Sequence, residues 1–181
     1  MNEHRRKFLT AVGISLSGSA LASPFSFHGD DGLKMEFAFK AEVRVDKIMD
    51  LGNTQHGNRR IIPITGGSFD GPAIKGTVVP GGADWQIVRA DGVAELEARY
   101  TLRTDDGTLI YVINRGYRHG PPEVMQRLAK GESVDPKEYY FRATPTFETS
   151  AAKYSWLTRY IFIATGERKP DSVIIDFYKI L

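Results

Sequence analysis

The stretch Lys34-Met35-Glu36-Phe37-Ala38-Phe39-Lys40-Ala41-Glu42-Val43-Arg44-Val45 decides the fold class. Met35, Phe37, Phe39, Ala41, Val43 and Val45 occupy one parity, while Lys34, Glu36, Lys40, Glu42 and Arg44 occupy the other. A period of two places alternate side chains on opposite faces, so the stretch predicts a strand of about twelve residues with one wet face.

Outward from this stretch the same pattern recurs at short intervals. Further strands are predicted at 59–64, 73–79, 84–90, 93–103, 108–115, 139–149, 155–165 and 172–180. Pro80-Gly81-Gly82, Asp91-Gly92 and Asp105-Asp106-Gly107 are tight-turn sequences between them, the last two suited to hairpins. Lys169-Pro170-Asp171 closes the final pair. One helix is expected over 121–130: Pro122 suits a first turn, Val124 and Leu128 share a face, and Gly131 stands just past the end.

The fold class is therefore all-β: a closed or nearly closed antiparallel β-barrel of about 8–10 strands with one short helix. Closure removes sheet edges that would otherwise pair with other chains. A two-sheet sandwich is the alternative. A barrel of this size is either filled by side chains or holds one small ligand.

The N-terminus reads as an address. His4-Arg5-Arg6-Lys7-Phe8-Leu9-Thr10 precedes a modestly apolar stretch from Ala11 to Leu21, and Ala20-Leu21-Ala22 is a small-x-small cleavage site. Paired arginines before a weakly hydrophobic core containing Gly13, Ser15, Ser17 and Gly18 resemble a twin-arginine export signal. The chain then divides into a signal peptide at 1–22, a flexible lead-in at 23–33 and one domain at 34–181, with a periplasmic destination. The apolar run is too short for a membrane span, which needs about 20 residues, so no stable membrane span is expected after cleavage.

Charge and composition narrow the function classes. The 181 residues carry 24 basic and 22 acidic side chains. Arg5, Arg6, Lys7 and Glu3 belong to the signal, so the remainder balances to neutrality. A neutral domain has no global field to steer it onto nucleic acid, and a nucleic-acid partner is not expected. The chain has no cysteine, which excludes disulfides, thiol chemistry and cysteine-rich metal sites. Of its four histidines only His56 and His119 lie well inside the predicted domain, and no two have ligand spacing, so neither a metal nor any other cofactor is expected.

Candidate chemistry is sparse. Gly66-Gly67-Ser68-Phe69-Asp70-Gly71 lacks the glycine two residues after serine that a nucleophile elbow requires, so Ser68 reads as a turn residue. On 93–103, Glu95, Glu97, Arg99, Thr101 and Arg103 share a face opposite Ala94, Leu96, Ala98, Tyr100 and Leu102. That charged face is either a solvated exterior with cross-strand ion pairs or a lumen that binds a ligand. Aromatic and polar groups interleave at Asp84-Trp85, Tyr111, Arg115, Tyr139-Tyr140-Phe141-Arg142, Tyr154, Trp156 and Tyr160. An aromatic cup with Arg and Asp at its polar end is the usual anatomy of a small-molecule site.

Several motifs occur in order: Ile62-Pro63-Ile64-Thr65-Gly66-Gly67, Pro80-Gly81-Gly82-Ala83-Asp84-Trp85-Gln86, Ala98-Arg99-Tyr100-Thr101-Leu102, Leu109-Ile110-Tyr111, Asn114-Arg115-Gly116, Tyr139-Tyr140-Phe141-Arg142 and Tyr154-Ser155-Trp156-Leu157. Together, from about Phe37 to the C-terminus, they resemble the bacterial and fungal family called domain of unknown function 3237. The resemblance implies a compact β-barrel and no particular activity. It directs attention to Asp84, Trp85, Arg99, Tyr111, Asn114 and Arg142 as pocket positions.

The leading expectation is a cofactor-independent lyase, isomerase or hydrolase acting on a small, partly apolar organic molecule. Asp84 would be its general base, Arg99 or Arg142 would hold developing negative charge, and Tyr111 would donate a proton or orient the substrate. Trp85, Asn114, Tyr140 and Trp156 would line the ligand site. The alternative is a non-catalytic carrier of a small hydrophobic ligand, and a filled barrel serving as an interaction module is a third reading. A homo-oligomer is compatible with the sequence.

Overall fold

The computed structural model describes residues 32–181; the expected signal peptide and most of the lead-in lie outside the described residues. Nine strands follow in order: β1 (Met35–Val45), β2 (Met49–Thr54), β3 (Gly57–Asp70), β4 (Lys75–Val88), β5 (Ala94–Thr104), β6 (Leu109–His119), β7 (Tyr140–Glu148), β8 (Phe162–Arg168) and β9 (Ser172–Ile180). Helix α1 (Pro122–Ala129) and two 3-10 helices, Pro136–Glu138 and Ala152–Thr158, fill the connections.

All pairings are antiparallel, in the order β1-β9-β8-β7-β6-β5-β4-β3, and β1 pairs with β3 to shut the ring. The result is a closed eight-stranded barrel with β2 as an extra strand continuing the edge along β3. β5 and β6 share an unbroken ladder from Ala94↔Arg118 to Arg103↔Leu109. By contrast, β7 and β8 meet through only two register pairs, Arg142↔Thr165 and Ala143↔Ala164.

Several local expectations change. Pro80-Gly81-Gly82 is not a turn between strands; it lies within the continuous β4, and Gly66-Gly67-Ser68 lies within β3. The ladder register shifts at both places, between Pro63 and Ser68 and between Val79 and Ala83. These are bulges, which bend strands around a barrel without ending them. Gly67 shows why glycine stands there: its φ is +136°, and a Cβ would sit 1.9 Å from the Glu42 carbonyl oxygen.

The alternation of β1 is also interrupted. Its register shifts between Phe37 and Phe39, so Ala38 and Phe39 are both buried while Met35 and Phe37 are exposed. The expected strand at 155–165 begins instead as the 3-10 helix Ala152–Thr158. Side chains three apart eclipse in a 3-10 helix, and here Tyr154 and Leu157 are the pair turned into the core. Strand β2 has no counterpart among the predicted strands, because Met49-Asp50-Leu51-Gly52-Asn53-Thr54 has little buried surface to pattern it.

The interior has two halves. Toward the β5–β6 hairpin tip, Phe39, Phe69, Phe147, Phe162 and Phe177 pack with Leu102, Ile110, Val112, Tyr154 and Leu157. Phe39 stacks on Phe177 at 4.3 Å, and Phe147 meets Phe162 edge-on at 5.1 Å. Toward the other end, α1 lays Val124 and Leu128 against Ala94, Leu96, Phe141 and Tyr139. Between the two apolar clusters the wall becomes polar.

Candidate functional site

Strand parity places the polar groups. On β5 the apolar face (Ala94, Leu96, Ala98, Tyr100, Leu102) points inward, so the charged face is the exterior. The register then aligns Ile62, Asp84, Ala98 and Asn114 as one row across β3, β4, β5 and β6. Ala98 is the smallest member of the row and leaves space between Asp84 and Asn114. Gln86 follows Asp84 on the same face of β4, and Arg118 follows Asn114 on the same face of β6.

These side chains surround an internal cavity of about 50 Å³. Val43, Ile64, Leu96, Val173 and Ile175 form its apolar wall, and Asp84, Gln86, Tyr100, Asn114, Arg118 and Arg168 supply its polar groups. A water needs about 10–15 Å³ of such space, so the cavity suits a few waters or a comparably small organic fragment. A wider cleft of about 800 Å³ lies under α1, and Val45, Ile62, Arg118 and Arg168 line both it and the cavity.

The polar groups form a sequence of contacts. Gln86 Nε2 donates to Asp84 Oδ2 at 2.6 Å, and the Glu97 backbone N–H donates to Asp84 Oδ1 at 3.0 Å. Arg118 Nη2 lies 3.5 Å from Gln86 Oε1, at the limit of a hydrogen bond. Burial is the largest influence on Asp84 and raises its pKa above the ordinary 3.8, opposed by the Gln86 hydrogen bond and the Arg118 charge. Burial likewise raises the Tyr100 hydroxyl, with the Asp84 charge adding to it, and lowers Arg118.

Tyr100 Oη, Asn114 Oδ1 and Arg118 Nε have no hydrogen-bond partner among the described residues. A buried polar group left unpaired costs roughly 1–3 kcal/mol, more when charged. Three such atoms face one cavity, where water or a bound molecule could supply the partners. Among the described residues no three His, Asp or Glu side chains converge as metal ligands.

The sequence-predicted residues divide between inside and outside. Asp84 and Asn114 line the cavity. Arg99 and Tyr111 lie on the opposite faces of their strands from the lumen-lining Ala98, Tyr100 and Asn114, and Arg99 is bound to Glu97, which Arg115 also reaches at 3.1 Å. Arg142 crosses the Tyr140 ring at 5.5 Å and donates to the Phe141 carbonyl at 2.8 Å, outside the barrel wall. Trp85 and Tyr140 are exposed on the same outer surface. Trp156 packs near Phe162, 5.9 Å between ring centres, on the aromatic half of the core.

Arg118, Tyr100, Gln86 and Arg168 are site residues that the sequence reading misses. Arg118 has a readable signal: extending the β6 alternation from Ile110, Val112 and Asn114 by two steps reaches it, but the predicted strand ends at 115. Tyr100 is visible on the apolar face of β5, where its hydroxyl is the odd group out.

The family described as "Protein of unknown function (DUF3237)" matches residues 33–180. The UPF0311 protein RPA1785 of Rhodopseudomonas palustris is 44% identical over 149 residues, covering 82% of this chain and 97% of its own. Its crystal structure superposes with a TM-score of 0.81, covering 83% of this chain and 99% of that one. A β-barrel-like protein from Acinetobacter baumannii is also 44% identical, with a TM-score of 0.74 over 85% of this chain and 99% of its own. At 22% identity an enzyme from Penicillium herquei shares the fold, with a TM-score of 0.62 over 82% of this chain and 95% of that one.

Proposed function

We propose that this chain, which belongs to the DUF3237 family, is a cofactor-independent acid–base enzyme acting on a small organic molecule held in the barrel. The observation that carries this reading is the ring of Asp84, Tyr100, Asn114 and Arg118 around one cavity, three of them with an unpartnered atom. That the Penicillium herquei protein of the same fold is described as an enzyme is compatible with it.

The chemistry these groups suit is proton transfer at a carbon next to a carbonyl. Ionised Asp84 accepts the proton from carbon, and the electron pair of the C–H bond moves toward the carbonyl oxygen. Arg118 Nε–H and the Tyr100 hydroxyl are donors for the negative charge that builds there. Returning the proton to another carbon completes an isomerisation; expelling a leaving group from the next carbon completes an elimination. Asn114 orients the substrate, and Gln86 positions the Asp84 carboxyl. A raised pKa strengthens Asp84 as a base while it is ionised. In the same reading the enzyme works in the periplasm, supported by the twin-arginine-like residues ahead of the matched region.

The test is incubation of the protein with a metabolite extract in deuterated water, followed by mass spectrometry. A compound that gains deuterium or changes mass with the wild type, and does so at least about a hundredfold more slowly with Asp84→Asn, is the expected result. A compound retained but unaltered would replace this reading with the carrier, for which the apolar part of the wall is the supporting observation. Equal turnover by Asp84→Asn would remove Asp84 from the chemistry.

A further inference from the structure

Two arginines stand where the internal cavity meets the cleft beneath α1. Of the residues lining both spaces, Val45 and Ile62 are apolar, and Arg118 and Arg168 carry the charge. Among the described residues no acidic side chain belongs to this shared rim; Asp46, Asp50, Glu132 and Asp171 line the cleft farther out, accompanied by Lys47, Arg60, Lys130 and Lys169. The acidic group deeper in the cavity is Asp84, whose carboxyl is already engaged by Gln86 and the Glu97 backbone. Arg118 has poor compensation for a charge so deep: a 3.5 Å approach to Gln86, a ring contact with Phe141 at 5.8 Å, and an Nε without a partner.

Arg168 is held for a similar view of the throat. Its Nη1 donates to the Ser172 carbonyl at 3.1 Å, and its backbone N–H donates to the Tyr139 hydroxyl at 2.9 Å. The Ser172 contact holds the guanidinium, which makes no ion pair among the described residues, although the Asp84 and Asp171 charges act on it from farther away. Two cations brought to one narrow, partly apolar passage repel each other, and an anion between them relieves that repulsion. The planar guanidinium fork matches a carboxylate in particular.

We propose that the substrate is a small organic monoanion whose carboxylate lodges between the Arg168 guanidinium and the Nη side of Arg118, with a short, mainly apolar part carrying the reacting carbonyl toward Arg118 Nε, Asp84, Tyr100 and Asn114. This rests on the acid–base reading above and names its substrate class. The cavity limits the inward part to a few heavy atoms, and the cleft of about 800 Å³ accommodates whatever extends outward. Val45 and Ile62 flank the passage and disfavour a more highly charged and hydrated head group.

The experiment is a titration followed by the ¹H–¹⁵N resonances of the arginine Nε–H groups, using butyrate against butyramide and benzoate against benzamide. These pairs match in shape and differ in charge. At least one carboxylate should bind about tenfold or more tightly than its amide and shift the Arg118 Nε–H signal, in line with charge-assisted hydrogen bonds. Arg168→Gln should reduce that preference to within about twofold, because the carboxylate loses a charge partner while the neutral amide loses at most a hydrogen bond. Arg118→Gln provides the second variant should Arg168→Gln not fold. The inference is overturned if neither carboxylate outbinds its amide, or if the preference survives both substitutions. Asp84→Asn separates the two readings. Preference retained without Asp84-dependent turnover sinks only the catalysis, and Asp84-dependent turnover of a neutral compound without the preference sinks only the anion.

Discussion

Asp84→Asn should make the protein progressively more stable relative to the wild type as the pH rises. Burial raises the Asp84 carboxyl above 3.8 in the folded chain, so between 3.8 and the folded value the folded state retains a proton that the unfolded state has released. Stability contributed by that proton is fully present below 3.8 and is lost as the pH climbs through the raised value. Asparagine has no proton to lose. The difference between variant and wild type therefore grows with a slope of at most about 1.4 kcal/mol per pH unit, then levels off above the folded pKa. A pH-independent offset is superimposed. The substituted side chain still accepts from the Glu97 N–H, but Gln86 must turn its amide to meet the new NH₂, at a cost of about 0.5–1.5 kcal/mol if it fails to do so. Urea denaturation of both proteins from about pH 4 to about pH 8 measures the difference directly. Parallel stability profiles would refute the raised carboxyl. A gap that narrows with rising pH would show that the arginines outweigh burial and hold Asp84 as a stabilised anion.

Other expectations follow from the barrel wall. Gly67→Ala forces a side chain into a positive-φ position and against the Glu42 carbonyl, so it should lower unfolding stability by about 3 kcal/mol or more, read from the urea midpoint. Arg99→Ala and Arg142→Ala remove exterior contacts and should each change stability by less than about 1 kcal/mol. Neither should alter the carboxylate-against-amide preference; an effect comparable to that of Arg168→Gln would place the exterior face in the site after all.

The barrel was legible in the alternation of Ala94 to Leu102 and of Ile110 to Asn114, because a half-buried strand writes its two faces into successive residues. Where the strand departs from regular pleating, the record blurs. Ala38 interrupts the parity of β1, and the glycines of 66–67 and 81–82 carry turn chemistry although they serve bulges inside long strands. Those residues satisfy the same backbone requirement in either setting, so composition alone does not separate the two. The site was half legible for a related reason. Asp84 and Asn114 stood out as polar residues beside apolar ones, but so did Arg99, Tyr111 and Arg142, and only the register across β4, β5 and β6 distinguishes inside from outside. Arg168 lies far from the others in the chain and reaches the throat through the β8–β9 hairpin, a juxtaposition that spacing along the sequence does not record.

The slender seam between β7 and β8 carries a consequence for the whole ring. A hoop is only as closed as its weakest join, and here the backbone ladder is Arg142↔Thr165 and Ala143↔Ala164, backed by Phe147 against Phe162 and by the Phe141 ring over Gly166. Parting it would turn the barrel into a curled sheet with two bare margins, and Ala143, which lines the cavity, would move with one of them. The lumen would then open sideways, by a route that leaves the α1 cap in place. The same event would expose backbone groups able to recruit a strand from another molecule.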